Sequence, residues 1–207
     1  MTDSVPKYKL TYFDINGGRG EVLRIAFHAA KIEFEDHRIS FQQFGSLRDE
    51  IRFKAVPVLE INGEQVTQSD GLCRYIGRMA GLYPTDPLQA MYCDEVTGAL
   101  EDLTHYTVQT FGLEGDDLIA ARKKLVDTRI SVFLIGLQGL LERGGGEYFA
   151  DGQLTIADLR AFVQTRALSS GHLDHVPADI VQRLAPALVE HEKRVSKDSR
   201  VVAYYSR

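Results

Sequence analysis

The spacing of apolar residues changes character twice within the first part of the chain. Residues 8–13 read as a short strand, closed by the turn-forming run Asp14-Ile15-Asn16-Gly17-Gly18. Val22, Ile25, Ala26, Ala29 and Ala30 then recur at helical spacing and predict a helix over 19–31. Residues 34–39 look like a second strand, so strand, helix and strand make a right-handed crossover unit. A less regular piece follows over 40–54. Two short strands, 57–61 and 65–67, flank Asn62-Gly63, the dipeptide of a type I′ hairpin turn. Ser69 is placed to cap a helix through Leu72, Tyr75, Ile76 and Met79. The order predicts an α/β domain, a four-stranded mixed sheet with three helices in a thioredoxin-like arrangement.

Gly81-Leu82-Tyr83-Pro84-Thr85-Asp86-Pro87 punctuates the chain, and everything after it reads as helical. Leu88, Met91, Val96, Ala99, Leu100, Leu103 and Tyr106 form one apolar stripe. Leu125, Val126, Ile130, Phe133, Leu134, Leu137, Leu140 and Leu141 form another, halted by Gly144-Gly145-Gly146. Thr155-Ile156-Ala157-Asp158 is a capping-box signature, with Asp in place of the usual Glu. A further helix is marked over 185–195. The expected division is residues 1–81 as the mixed domain, 82–87 as linker and 88–207 as an all-α domain.

Composition narrows the function classes. Lys and Arg number 24 against 29 Asp and Glu, a net charge of −5 that argues against general binding to nucleic acid. No run of about 18 apolar residues suggests a membrane span, and MTDSVPKYKL lacks the features of a secretory signal. Cys73 and Cys93 are too few for a disulfide framework or a four-cysteine metal site, so a reducing cytoplasm is expected. The six histidines show no metal-ligand spacing, and no metal site is predicted.

Two local features suggest chemistry. Val56-Pro57 is either a plain strand-start proline or a cis peptide that turns the Val56 N–H and C=O toward an extended ligand. Gln68-Ser69 opens a helix, where free N–H groups, the helix dipole and a hydroxyl favour a carboxylate; the plainer reading is an ordinary cap.

The blocks YKLTYFDINGGRGEVLR, AVPVLEINGEQVTQSDGLCRYI and LTIADL together resemble a cytosolic glutathione transferase, nearest the sigma class that includes the haematopoietic-type prostaglandin D synthases. The resemblance covers nearly the whole chain. It implies a thioredoxin-like domain that binds glutathione as co-substrate, with no other cofactor, a helical domain that forms the electrophile pocket, and a homodimer. Tyr12 matches the family's catalytic tyrosine and Arg19 its active-site arginine. Gly17-Gly18 stands where relatives usually have one glycine, so either the turn bulges by one residue or the alignment slips. Val56, Pro57, Gln68 and Ser69 match glutathione-binding positions. Phe44 falls where sigma relatives have a tryptophan and Arg48 where they have a lysine. Asp102 matches an aspartate that reaches glutathione across the dimer, whereas Glu101 reads as a solvated charge. Phe53 stands where several classes place an aromatic key at the dimer interface. Tyr106 and Gln109, at i+4 and i+7 from Asp102, are candidates for the electrophile pocket. Gly98 replaces one residue of the acidic metal cluster found in prostaglandin synthases of this class. Thr155 and Asp158 match a folding motif, and Cys73 reads as an inert buried thiol. The implied activity is conjugation of the glutathione thiolate to small apolar electrophiles. The alternatives are a prostaglandin D synthase-type isomerase and a non-catalytic ligandin or crystallin relative.

Overall fold

The computed structural model describes residues 6–207; the first five residues of the predicted mixed domain lie outside them. Strand β1 (Tyr8–Phe13) leads into helix α1 (Gly18–Ala29), strand β2 (Glu35–Ile39) and helix α2 (Phe41–Leu47). The hairpin β3 (Val58–Ile61) and β4 (Glu64–Val66) follows, then helix α3 (Ser69–Met79). The sheet order is β2-β1-β3-β4. β1 runs parallel to β2, with Tyr12 opposite Arg38, and antiparallel to β3, with Thr11 opposite Val58. Asn62 and Gly63 both take positive φ, as a type I′ turn demands.

Alternation along β1 sends Tyr8, Leu10 and Tyr12 to one face. There Tyr8 and Leu10 enter the main core with Leu23 and Phe27 of α1 and Ile76 of α3. The piece expected to be irregular, 40–54, contains α2. Ser40 and Gln43 close a reciprocal capping box at its start: Gln43 N–H donates to Ser40 Oγ at 3.1 Å, and Ser40 N–H to Gln43 Oε1 at 2.7 Å.

After a turn through Leu82–Asp86 the chain is helical. Helix α4 (Pro87–Val108) opens with proline at its first position and is capped by Asp86, which accepts from Gln89 N–H at 2.9 Å. Helix α5 (Gly115–Leu125) passes through one π turn, Val126–Ile130, into α6 (Ser131–Arg143). The apolar stripe places a helix only from Leu125; α5 escapes it because Arg122 and Leu125 alone are buried on that helix. Helices α7 (Ile156–Ser169), α8 (Ile180–Leu184), α9 (Pro186–Val195) and α10 (Ser199–Tyr205) complete the chain. α7 is buried nearly all round and packs on α1, α4 and α9. At its N-terminus Asp158 accepts from Thr155 N–H and Thr155 Oγ1, both at 2.7 Å, as the Thr-x-x-Asp signature predicts.

No helix among the described residues is long and apolar enough to cross a membrane.

Candidate functional site

The site gathers where β1 ends and α1 begins. Tyr12 is only 5% exposed. Its hydroxyl oxygen accepts from the Arg19 backbone N–H at 3.1 Å, one of the amides a helix N-terminus leaves free. The glycines of the turn make this contact possible. A Cβ at Gly18, whose φ is +63°, would stand 2.5 Å from the Tyr12 hydroxyl, and one at Gly20 would overlap the ring. The extra glycine is therefore taken up within the turn, and Arg19 keeps its place beside Tyr12. Burial raises the Tyr12 pKa above 10.0, against the lowering influence of the Arg19 amide and of the Arg19 and Arg24 charges. The phenol is neutral at physiological pH and keeps a proton to donate.

The Arg19 side chain turns to the helical half. Its Nε donates to Glu101 Oε1 at 2.8 Å and its Nη2 to the same oxygen at 2.6 Å. Glu101 is thus no solvated charge, as its sequence position suggested, but a bridge. Its other oxygen accepts from Arg160 Nη2 on α7 at 2.8 Å, and Arg160 Nη1 donates to Asp70 on α3. Burial alone would raise the Glu101 pKa, but hydrogen bonds from Arg19 and Arg160 hold it below 4.5. Asp70 goes the other way, because burial outweighs the pull of Arg160. Arg160, Asp70 and this role of Glu101 were missed in the sequence. Arg160 lies five residues after the Thr155 cap on a buried helix, where a lone charge gives no pattern to read.

The start of α3 lies at the other end of this chain of charges. Gln68 is exposed and left-handed, with φ 73°, and is the cap position; Ser69 is the first helical residue. The prediction that Ser69 caps the helix is corrected: the chain enters α3 one residue earlier, and no side chain caps it. The Val56–Pro57 peptide is cis and both residues are buried, just beyond the last β1–β3 pair, Thr11 and Val58. Phe44 packs edge-on to Phe13, ring centres 5.3 Å apart. Arg48 is exposed on the turn after α2.

The remaining predicted residues make no hydrogen bond or ring contact with Tyr12 among the described residues. Phe53 is 59% exposed. Asp102 is exposed, and its side chain makes no hydrogen bond or ion pair among the described residues. Tyr106 does not face Glu101, being about 140° from it around α4. Its ring lies 6.1 Å from Phe133 and 4.3 Å from the Arg129 guanidinium, against α6 and the π turn. Gln109 is tied to His105, Nε2 to Nε2 at 2.9 Å. Cys73 is fully buried, and burial pushes its thiol up to about 11, which makes it a poor nucleophile. A cavity of about 380 Å³ lined by Gln89, Tyr92, Arg143, Gly144, Asp151 and Gly152 contains none of these residues. No cluster of three or more metal-binding side chains occurs among the described residues.

Residues 8–78 match the family model of the glutathione S-transferase N-terminal domain, and residues 101–207 that of the glutathione S-transferase C-terminal domain. The chain belongs to the glutathione S-transferase family. It is 33% identical over 159 residues to glutathione S-transferase 1 of Ascaris suum, covering 75% of this chain and 77% of that one. It is 36% identical over 98 residues to haematopoietic prostaglandin D synthase of Gallus gallus, 47% of this chain and 49% of that one. The fold is shared with the sigma class glutathione S-transferase of Fasciola hepatica, with a TM-score of 0.83 and 23% identity over 97% of this chain and 96% of that one.

Proposed function

We propose that this transferase binds glutathione across the gap between Tyr12 and the start of α3 and adds its sulfur to small apolar electrophiles. The observation that carries the reading is the Arg19 N–H on the Tyr12 hydroxyl. It occupies a lone pair of the phenol oxygen, so the phenol proton is left to point at sulfur. A free thiol has a pKa of about 8.5 and is only a few per cent ionised at neutral pH. A hydrogen bond from Tyr12 favours the thiolate and lowers that pKa. The thiol proton leaves to solvent. The sulfur pair then forms a bond to the electrophilic carbon, and the leaving group departs with its own bonding pair.

Gln68 and Ser69 offer the free amides of the α3 N-terminus and a hydroxyl to the γ-glutamyl carboxylate. Val56, ahead of the cis Pro57, pairs with the tripeptide backbone as an added strand would. Arg48 is free to meet the glycine carboxylate, and Phe44 supplies apolar cover. A second copy of the chain completes the site. Asp102 has no hydrogen-bond or ion-pair partner among the described residues and reaches the γ-glutamyl ammonium of its neighbour. Phe53, exposed Leu88 and Met91 on α4, and Tyr75 on α3 supply apolar surface for that interface. Glutathione is the co-substrate, with no other cofactor, and the cytoplasm is the fitting compartment.

The likeness to a prostaglandin D synthase favours a second reading, a glutathione-dependent isomerase. Gly98 lacks the carboxyl of that enzyme type's acidic cluster, and Phe44 lacks an indole N–H, so conjugation is preferred. Purified protein assayed with glutathione against a panel of electrophiles and a prostaglandin endoperoxide separates the two. Turnover of neither substrate class would leave a binding protein on the same fold.

A further inference from the structure

Four alternating charges run from the thiol end of the site to the γ-glutamyl end, each on a different helix: Arg19 on α1, Glu101 on α4, Arg160 on α7 and Asp70 on α3. Arg160 is 6% exposed and, through its bond to Asp70 on α3, lies where the helical half meets the mixed domain. A buried guanidinium is costly unless paired, and here both ends of its fork are used.

We propose that Arg160 is a positioning residue for the thiolate: it draws on Glu101 and so leaves Arg19 with part of its positive charge free to act on the sulfur. This rests on the reading of Tyr12 given above. The Arg19 charge is already felt at the Tyr12 oxygen, where it favours the ionised form, and a thiolate placed beside that oxygen feels the same field. Glu101 is the only acid within ion-pair distance of Arg19 among the described residues. If Glu101 answered to Arg19 alone, the pair would be neutral and Arg19 would contribute little field. Arg160 shares the same carboxylate, with a bond of 2.8 Å to its second oxygen. The net charge over Arg19, Glu101 and Arg160 is then positive, and Asp70 balances it at the far end, beside Ser69. The other titratable groups facing the chain are Tyr12 on β1, and Cys73 and Arg74 on α3. Cys73 is held protonated by burial, and Arg74 is taken up by Asp94, Nε to Oδ1 at 2.8 Å.

The arrangement gives two neutralising substitutions opposite signs. Arg160→Gln removes a positive charge and returns Glu101 wholly to Arg19, so the thiol pKa of bound glutathione rises. Glu101→Gln frees Arg19, and that pKa falls. At one remove in a partly buried site, each shift is roughly half to one pH unit. Arg160→Lys keeps the charge and restores most of the wild-type value. The experiment is a pH titration of the thiolate absorbance of glutathione bound to the full-length protein and each variant, with thermal melting and calorimetry of glutathione binding alongside. Opposite shifts support the proposal. Unmoved titrations, or shifts of one sign with lowered melting, would make Arg160 a scaffold residue only and overturn it. Should Arg160→Gln fail to fold, Arg160→Met, which removes the charge and keeps an apolar stem of similar length, takes its place, with the same rise expected. A wild-type protein that does not lower the thiol pKa at all defeats the Tyr12 reading itself, which is a distinct result.

Discussion

The backbone amide of Arg19 donates to the hydroxyl oxygen of Tyr12 at 3.1 Å. This one bond fixes which way the phenol works. Its oxygen is an acceptor toward α1 and therefore a donor toward the groove. The same residue sends its guanidinium to Glu101, so main chain and side chain of Arg19 serve the two halves of the molecule separately.

Tyr12→Phe removes the donor and keeps the ring. The thiol pKa of bound glutathione should rise by about 1–2 units, the equivalent of one lost hydrogen bond to a charged group. Turnover at neutral pH should fall about 10- to 100-fold, with glutathione affinity little changed. The thiolate titration and steady-state rates check it, and an unaltered titration with unaltered rate sinks the role.

Gly18→Ala places a methyl against the Tyr12 hydroxyl at a backbone φ of +63°. The left-handed conformation alone should cost about 1–2 kcal/mol. The hydroxyl must also leave the Arg19 amide, so turnover should drop while glutathione still binds. Melting and calorimetry report the two effects apart; wild-type kinetics would show that the turn has room to spare.

Ser69→Ala should now separate ligand from fold. Because Ser69 is the first helical residue and not the cap, no capping bond is lost, and stability should fall by less than the roughly 1 kcal/mol that a lost cap costs. Losing a hydroxyl contact to a carboxylate should weaken glutathione binding by about 1.5–3 kcal/mol, roughly 10- to 100-fold. Tight binding by the variant would remove Ser69 from the site.

Glu101 predicts a pH dependence of stability. Arg19 and Arg160 overcome its burial and hold its pKa below the ordinary 4.5. The contribution is therefore present above the unfolded value and lost as pH falls through the folded one. Denaturant titrations should show wild type more stable than Glu101→Gln at pH 7, with the gap closing below about pH 4. A gap independent of pH would mean the glutamate acts by packing and not by charge.

Sedimentation should show a dimer at micromolar concentration, and Asp102→Ala should weaken glutathione binding without lowering the melting temperature, since its exposed side chain makes no hydrogen bond or ion pair among the described residues. A fully active monomer would take Asp102 out of the site.

Local order was written in the sequence. The β1 strand, the Asn62-Gly63 turn and the Thr155–Asp158 box depend on side chains a few positions apart, and those residues form those elements. The strand end, glycine turn and helix start around Tyr12 were legible for the same reason, but its assignment to the chemistry came from the family resemblance and not from that pattern. What no local pattern carried is the meeting of distant groups. Asp158 also accepts from Phe149 N–H at 3.0 Å and bonds His191 at 2.9 Å, both inside the core, and nothing near residue 158 announces a histidine on α9. Glu101 looked like a surface charge because its helix neighbours are polar. It is the packing of both α4 and α1 against α7 that brings it between two arginines. Tyr106 packs on Phe133 of α6 and on Arg129, contacts its spacing from Asp102 does not announce, because spacing gives the angle between two side chains on a helix and not which neighbour either one meets. Periodicity settles which residues share a face; the tertiary fold decides what that face touches. Arg19 stands near Tyr12 in the chain and could be named from the sequence, but Glu101, which takes up its guanidinium, and Arg160, which shares that carboxylate, reach it only through the packing of the helices.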